Sequence, residues 1–379
     1  MRGDYKDLIR DCLAKLDKID ISEKTWDDII DEYELEYSSD HLRKISYGFR
    51  MYRDAFNEDN NNIEDMLNMK KEKVKIQDLK NLANKKIREL SRAESMIELI
   101  QDNIDRLSES KPFLSDFKFK PTSSGRDMII ILSDVHLGLE FKHCANEYSP
   151  EICYNRINRY VDKAIEYSNL YNIDKVHLVC LGDIISGTIH NTIRLQSRYD
   201  LAEQIVESSE LISEIINKLA NNVPYVTVSI CNGNHERIYE KDNALATDNY
   251  TKIIKHTIIK RCKDLSNVVF LDNTLNDDEI CYLNIHGYNF LGCHGDKIKK
   301  QKVADQLRNV TGIEPNYVLL GHMHVPEQFC EYNVKIYQNG CVVGSDEYSI
   351  GKKLSTDPQQ KILIVSNEGV IADCDVNLK

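Results

Sequence analysis

The sequence predicts an α/β fold preceded by an all-α N-terminal extension, and three features point to it. Apolar, β-branched runs at Met128–Leu132, Val176–Leu181, Val226–Ile230, Tyr288–Leu291 and Val318–Leu320 read as buried strands. Glu151–Tyr171 and Leu201–Leu219 lie between them with helical periodicity, and strands alternating with helices indicate a sheet layered with helices. Upstream of residue 128 the apolar positions recur at helical spacing instead.

The extension divides in two. Residues 1–60 predict three short helices, the first with Leu8, Cys12, Leu13 and Leu16 on one face. Ser22 and Thr25 are candidate caps for a second helix holding Trp26, Ile29 and Ile30. Ser38, Ser39 and Asp40 precede a third, with Leu42, Ile45, Phe49 and Tyr52 inward and Arg43, Lys44, Arg50 and Arg53 outward. This arrangement suits a small helix-turn-helix domain or, equally, a plain dimerisation module. In residues 61–112, Ile76, Ala83, Leu90, Ile97 and Ile104 recur every seven positions, as do Leu79, Lys86, Ala93, Ile100 and Leu107. That seam predicts a long coiled-coil helix that either pairs with a second copy, the preferred reading, making a homodimer, or folds back on the catalytic domain. Pro112, Pro121 and Ser123–Gly125 mark a linker over 113–127, and residues 128–379 form the expected catalytic domain. Late in it the strands crowd, at Val268–Leu271, Ile280–Ile285, Val334–Tyr337 and Ile362–Val365, with His286-Gly287 as a hairpin turn.

The chain has 379 residues and a formal net charge of -12, which argues against a whole-molecule nucleic-acid funnel. Its eleven cysteines form no C-x-x-C pair, and Cys180, Cys231 and Cys293 fall inside apolar runs, as expected of reduced thiols in a cytoplasmic protein. A polar start without a signal-peptide core, and no apolar run near the roughly 20 residues of a membrane span, predict a protein independent of membranes.

The chemistry lies in five blocks, each directly after a predicted strand: Asp134-Val135-His136, Gly182-Asp183, Gly233-Asn234-His235-Glu236, His294-Gly295-Asp296 and Gly321-His322-Met323-His324. Strands that end on such residues deliver them to the C-terminal edge of a sheet, where α/β folds place their sites. Any one block is an ordinary turn; five in order are a strong signal. Carboxylates, an amide carbonyl and imidazoles form a mixed N/O ligand set suited to borderline divalent ions, with manganese the first choice here and iron, zinc or nickel the alternatives. Seven donors exceed the needs of one tetrahedral ion but suit two divalent metal ions sharing a carboxylate. Such ions would leave the site about one positive charge even in an acidic chain.

This ordered set resembles the calcineurin-like metallophosphoesterases, over roughly Met128 to the C-terminus. The resemblance implies two packed mixed β-sheets flanked by helices, a metallophosphoesterase sandwich. It further implies that Asp134, His136 and His324 hold one metal, that Asn234, His294 and His322 hold the other, and that Asp183 bridges. His235 would be the catalytic acid that protonates the leaving oxygen. Asp296 reads as a residue supporting a ligand or as a helix cap, His286 as a turn residue, and Arg237 and His190 as substrate contacts.

Substrate class follows from departures within the family. Protein Ser/Thr phosphatases carry Arg before Gly-Asn-His-Glu and an Asp-Arg pair after Gly-Asp, whereas Asn232 and Ile184-Ile185-Ser186 stand here, which favours a diester. Ser133-Asp134-Val135-His136-Leu137-Gly138 is similar to the opening motif of the DNA repair exonuclease (SbcD-like) branch. Little chain follows Gly321-His322, so that branch's capping domain and ATPase-binding segment are not expected. The reading is therefore a metal-dependent phosphodiesterase and DNA nuclease. A small-molecule phosphodiesterase acting on nucleotides or cyclic nucleotides, and a DNA-binding scaffold with a vestigial metal domain, are the alternatives.

Overall fold

The computed structural model describes residues 5–17, 24–57, 67–84, 86–87, 91, 98, 113, 124–239, 245, 247–271, 275, 277–346, 349–350 and 355–379, with the backbone alone at 56, 57 and 191. The chain divides into two compact units, Met1–Glu94 and Ser95–Lys379.

In the first unit, α1 (Tyr5–Asp17), α2 (Trp26–Glu32) and α3 (Ser39–Asn57) enclose Leu8, Cys12, Ile29 and Leu42. Thr25 starts α2 through a capping box: its hydroxyl accepts from Asp28 N at 3.1 Å, and the Asp28 carboxylate accepts from Thr25 N at 2.6 Å. Ser22, the other candidate cap, lies outside the described residues. On α3 the inward face runs through Leu42, Ser46 and Phe49 to Arg53, whose guanidinium bonds Asp17. Tyr52, expected inward, is therefore 67% exposed, because it falls at the margin of that stripe; Arg53, expected outward, lies on the stripe. A fourth helix, α4 (67–84), is exposed along its length, Ile76 and Leu79 of the predicted seam included. Seam positions from Leu90 onward lie outside the described residues.

The second unit runs β1 (Asp127–Leu132), β2 (Phe141–Lys142), β3 (Glu147–Tyr148), α5 (Pro150–Tyr171), β4 (Lys175–Cys180), α6 (Asn191–Gln196), α7 (Leu201–Ala220), β5 (Tyr225–Ile230), α8 (Thr251–Arg261) and β6 (Val268–Phe270). Then come β7 (Ile280–Ile285), β8 (Tyr288–Cys293), α9 (Val303–Thr311), β9 (Tyr317–Leu320), β10 (Glu327–Glu331), β11 (Val334–Gln338), β12 (Gln359–Ser366) and β13 (Gly369–Asn377). One sheet has the order β13-β12-β1-β4-β5-β6 and the other β10-β11-β9-β8-β7, with β2 and β3 a separate ribbon. β1, β4, β5 and β6 are mutually parallel, as are β8, β9 and β11, while β12, β13, β7 and β10 run antiparallel to their neighbours.

The period-two alternation of β1 explains the layering. Ile129 and Ile131 face the second sheet and pack with Val179, Leu283, Phe290, Leu319 and Tyr337. Met128, Ile130 and Leu132 face the other way, onto a cluster that includes Ile157, Val161 and Ala164 of α5 and Ile212 and Ile216 of α7. On the outside of the second sheet, Val303, Ala304 and Leu307 of α9 cover Leu291, Val318 and Ile336. The result is a two-sheet mixed sandwich flanked by helices. No helix among the described residues is long and apolar enough to cross a membrane.

One hydroxyl staples this core. The buried Tyr160 of α5 sits 2.8 Å from Ile131 O and 2.7 Å from Lys361 O, across the seam between β1 and β12. Tyr160→Phe should lower unfolding stability by about 1 kcal/mol in urea titration, the net worth of one buried hydrogen bond, with metal content unchanged.

Candidate metal centre

The C-terminal ends of β1, β4, β5, β8 and β9 lead directly into the five blocks. Their convergence requires unusual backbone. Asp134 (φ 53°), His136 (49°), Asp183 (52°), His322 (68°) and His324 (60°) all occupy the left-handed region. For residues bearing a Cβ this costs on the order of 1 kcal/mol or more each, and it persists only where the surroundings enforce it.

The enforcement at Asp183 is visible. Glu236 is fully buried, and its carboxylate accepts from the amides of Gly233 (3.1 Å), Asp183 (3.1 Å), Ile185 (3.2 Å) and Ile184. Burial, reinforced by Asp183, pushes this carboxyl up to about 7, against the opposing pull of His294 and the amides. Two glycines let the β4 and β5 exits touch: a Cβ on Gly182 would lie 2.4 Å from Gly233 Cα, and one on Gly233 would lie 2.1 Å from Asp183 N. At the other carboxylate, both oxygens of Asp134 accept from His322 N at 3.1 Å, which ties β1 to the β9 exit.

Seven of the donors expected from the sequence meet here. Asp134, His136 and His324 form one cluster and Asp183, His294 and His322 a second, each with its donor atoms within 4.8 Å of one another. Asp183 also joins His136 and His235 in a third. His136 Nε2 lies 3.2 Å from His324 Nε2, and His322 Nδ1 lies 3.2 Å from His294 Nε2. Asp183 Oδ2 is 3.1 Å from His294 Nε2 and 3.9 Å from His136 Nε2, while Asn234 Oδ1 is 2.9 Å from His294 Nε2. Donors bound about 2.1 Å from one ion stand roughly 3.0–3.4 Å apart, so most of these spacings are those of a coordination shell. His136 Nδ1 is buried without a hydrogen-bond partner, and His294 Nδ1 bonds Leu181 O at 2.8 Å, leaving its Nε2 for the site. The residues fit two divalent ions.

Electrostatics agree with that fit. Burial would raise the Asp183 carboxyl, but His294, His235 and His136 hold it well below the usual range; Asp134 is lowered in the same way by His324 and His294. Burial opposes a charge on His294, yet Asp183 and Asp134 carry it up to about 10. His324 is likewise held well above the imidazole range by Cys341 and Asp134, against burial. His136 is lowered by burial and by His235, and His322 by burial and by His294. The two buried carboxylates are thus countered by His294 and His324, the imidazoles whose protonation they favour.

The remaining candidates surround this centre. His235 Nδ1 lies 2.7 Å from Ser186 O, its Nε2 lies 3.9 Å from Asp183 Oδ2, and its ring packs edge-on against His136. The ring of His190 lies 5.2 Å from that of His235. Arg237 is buried and its guanidinium is engaged by Asp296, so Asp296 does not cap a helix; the next helical turn begins only at Lys300. Glu236 stands in the Gly233–Glu236 block with no role in the ligand pattern, and Asn339 and Gln360 lie outside every block. Nothing in a lone Gln or Asn signals which main chain it will bond.

The family model described as calcineurin-like phosphoesterase matches residues 128–328. The SPbeta prophage-derived uncharacterized protein YonJ of Bacillus subtilis (strain 168) is 23% identical over 320 residues, covering 80% of this chain and 77% of that protein. Among solved structures, an archaeal phosphodiesterase is 16% identical, covering 66% of this chain and 99% of its own, with a TM-score of 0.33. Vps29 of Entamoeba histolytica complexed with zinc is 12% identical, with 66% and 99% coverage and a TM-score of 0.31.

A metal ion needs neutral imidazoles, so loading should release the protons that His294 and His324 carry at pH 7, and affinity should fall as pH falls. Calorimetric titration with Mn in buffers of different ionisation enthalpy measures this; a binding enthalpy independent of buffer would contradict it. Gly182→Ala should abolish metal retention by forcing the β4 and β5 exits apart, as metal analysis of the purified variant would reveal.

Proposed function

The chain belongs to the calcineurin-like phosphoesterase family of metal-dependent hydrolases, and from that premise we propose that it is a phosphodiesterase cleaving DNA. The meeting of seven N/O donors with His235 where the strand exits of the two sheets converge carries this reading. We assign one ion to Asp134, His136 and His324, the other to Asn234, His294 and His322, and the shared position to Asp183, with manganese as the first candidate metal. The chemistry such ions supply when bound is Lewis-acid polarisation of a phosphoryl group and activation of water near neutral pH.

The chain's own residues do the rest. Asp134 and Asp183, both almost fully buried, carry negative charge that water does not screen, so an anionic ester can enter only where the surrounding imidazoles or bound cations compensate it. His235 is assigned the acid role. Its Nδ1–H donates to Ser186 O, which fixes the ring, and Nε2 then faces the site, where a proton on it can pass to the departing alkoxide. His190, stacked at an angle beside it, is assigned to substrate contact. Arg237, paired with Asp296, would reach a phosphate oxygen only by sharing its guanidinium with that carboxylate.

Two features support a diester over a monoester. Asn232 and Ile184–Ser186 stand where Ser/Thr phosphatases clamp a terminal phosphate with arginine, so no second dianionic contact is expected there. Lys297, Lys299, Lys300 and Lys302 follow His294 closely, with Lys297 and Lys300 anchored by Glu279 and Glu327 and with Lys299 and Lys302 exposed. Such a run suits phosphates flanking the scissile one in a polymer. The net charge of -12 favours the second reading, a small nucleotide or cyclic nucleotide substrate.

Assays with Mn on bis-aryl and mono-aryl phosphates, cyclic nucleotides, and single-stranded and duplex DNA distinguish the two. DNA cleavage is expected, and turnover of cyclic nucleotides with DNA left intact would shift the substrate to small molecules. His235→Ala should slow esters with alkoxide leaving groups by roughly 100- to 10,000-fold while aryl esters lose far less. Equal losses on both would remove the acid role.

A further inference from the structure

Asp134 needs an anchor comparable to the one Glu236 provides for Asp183, and a buried amide cluster lies directly beneath it. Ser133, Asn339 and Gln360 are each fully buried, and they come from β1's exit, the residue after β11, and β12. Gln360 Oε1 accepts from Ser133 N (3.0 Å) and Asn339 Nδ2 (2.9 Å). Gln360 Nε2 faces three carbonyls: Ser133 O (3.2 Å), Gly340 O (3.1 Å) and its neighbour Gln359 O (3.0 Å). Asn339 Nδ2 also donates to Ser133 Oγ (2.9 Å), and Asn339 Oδ1 accepts from Lys361 N (2.8 Å). Each amide group thus has its partners, and together they hold the main chain one residue before Asp134.

The grip extends to Asp134 itself. Its carbonyl accepts from Val342 N at 3.0 Å, and Arg156 holds the carbonyls of Val342 (2.8 Å) and Val343 (2.9 Å). The strained φ of Asp134 is therefore bounded on both sides by groups that are themselves fixed. The side-chain types follow from what each faces. Glu236 meets only amide N–H groups and serves as an acceptor; position 360 meets donors on one side and carbonyls on the other, which a primary amide matches and a carboxylate does not.

We propose that Gln360 and Asn339 are positioning residues for the metal position of Asp134, His136 and His324, an assignment that rests on the two-metal reading above. Acting through the Ser133–Asp134 turn, they set the direction of the Asp134 carboxylate. Gln360→Glu keeps the shape but turns an acceptor toward three carbonyls, and Ser133→Ala removes the hydroxyl with its contacts to Asn339 Nδ2 and Gly340 O while leaving both amide side chains in place.

The full-length chain and both variants would be titrated with Mn alone, counting bound ions by electron paramagnetic resonance and calorimetry. The wild type should bind two ions. Gln360→Glu should weaken one of them by about ten- to a hundred-fold and leave the other near its original affinity, the range typical when a ligand's supporting hydrogen bonds are lost. Ser133→Ala should weaken the same ion by a smaller factor, and it carries the test alone if Gln360→Glu does not fold. Both sites unchanged in the folded variants, or a lowered melting temperature with unaltered affinities, would overturn the proposal. A wild-type chain that binds no Mn would instead bring down the two-metal reading, and this inference with it.

Discussion

Two carboxylates without water are the constraint around which the catalytic unit is built. Asp134 and Asp183 end neighbouring parallel strands, almost fully buried and both in left-handed backbone. An isolated buried carboxylate would take up a proton, and a left-handed Asp would relax if its turn were free to move. Neither happens, because imidazoles supply the counter-charge and buried acceptors and amides hold the turns. Metal ligation is an extension of the same arrangement, since an ion takes the place of protons already drawn into the site.

That arrangement also explains the sandwich. The first sheet alone brings Asp134, Asp183 and Asn234 to one edge, through three adjacent parallel strands. The compensating histidines come from the second sheet, through the parallel pair β8 and β9. The two inner faces pack through Ile129, Ile131, Phe290 and Leu319, so the relative height of the two edges is set by apolar side chains well below the chemistry. A slip of one residue in β1 would exchange its two faces, burying neither set correctly and turning the Asp134 exit away from the second sheet.

Much of this was legible in the sequence. Strand ends, helices α5 and α7, the His286-Gly287 hairpin and the placement of the five polar blocks at strand exits could be read because each depends on local pattern: an unbroken β-branched run, a 3.6-residue period, a polar block at a strand's end. Other elements were not. β13 alternates half-buried and exposed residues with acids at Asp373 and Asp375, so its polar half hid the strand; β10 exposes most of its residues. Tyr52 was misplaced because a short amphipathic stripe leaves its margin undecided until a neighbouring helix selects the face.

The sequence by itself determined the α/β class, the order of the ligand blocks and the types of donor, because these depend on residues adjacent along the chain and on the chemistry of their side chains. Only tertiary structure decided which nitrogen faces the site, that Arg237 is held by Asp296, and that Glu236, Asn339 and Gln360 support the two carboxylate turns. Those outcomes depend on partners as far as 227 residues apart, and on whether a buried atom meets a donor or an acceptor there. No local pattern encodes that meeting; it exists only once the strands have paired.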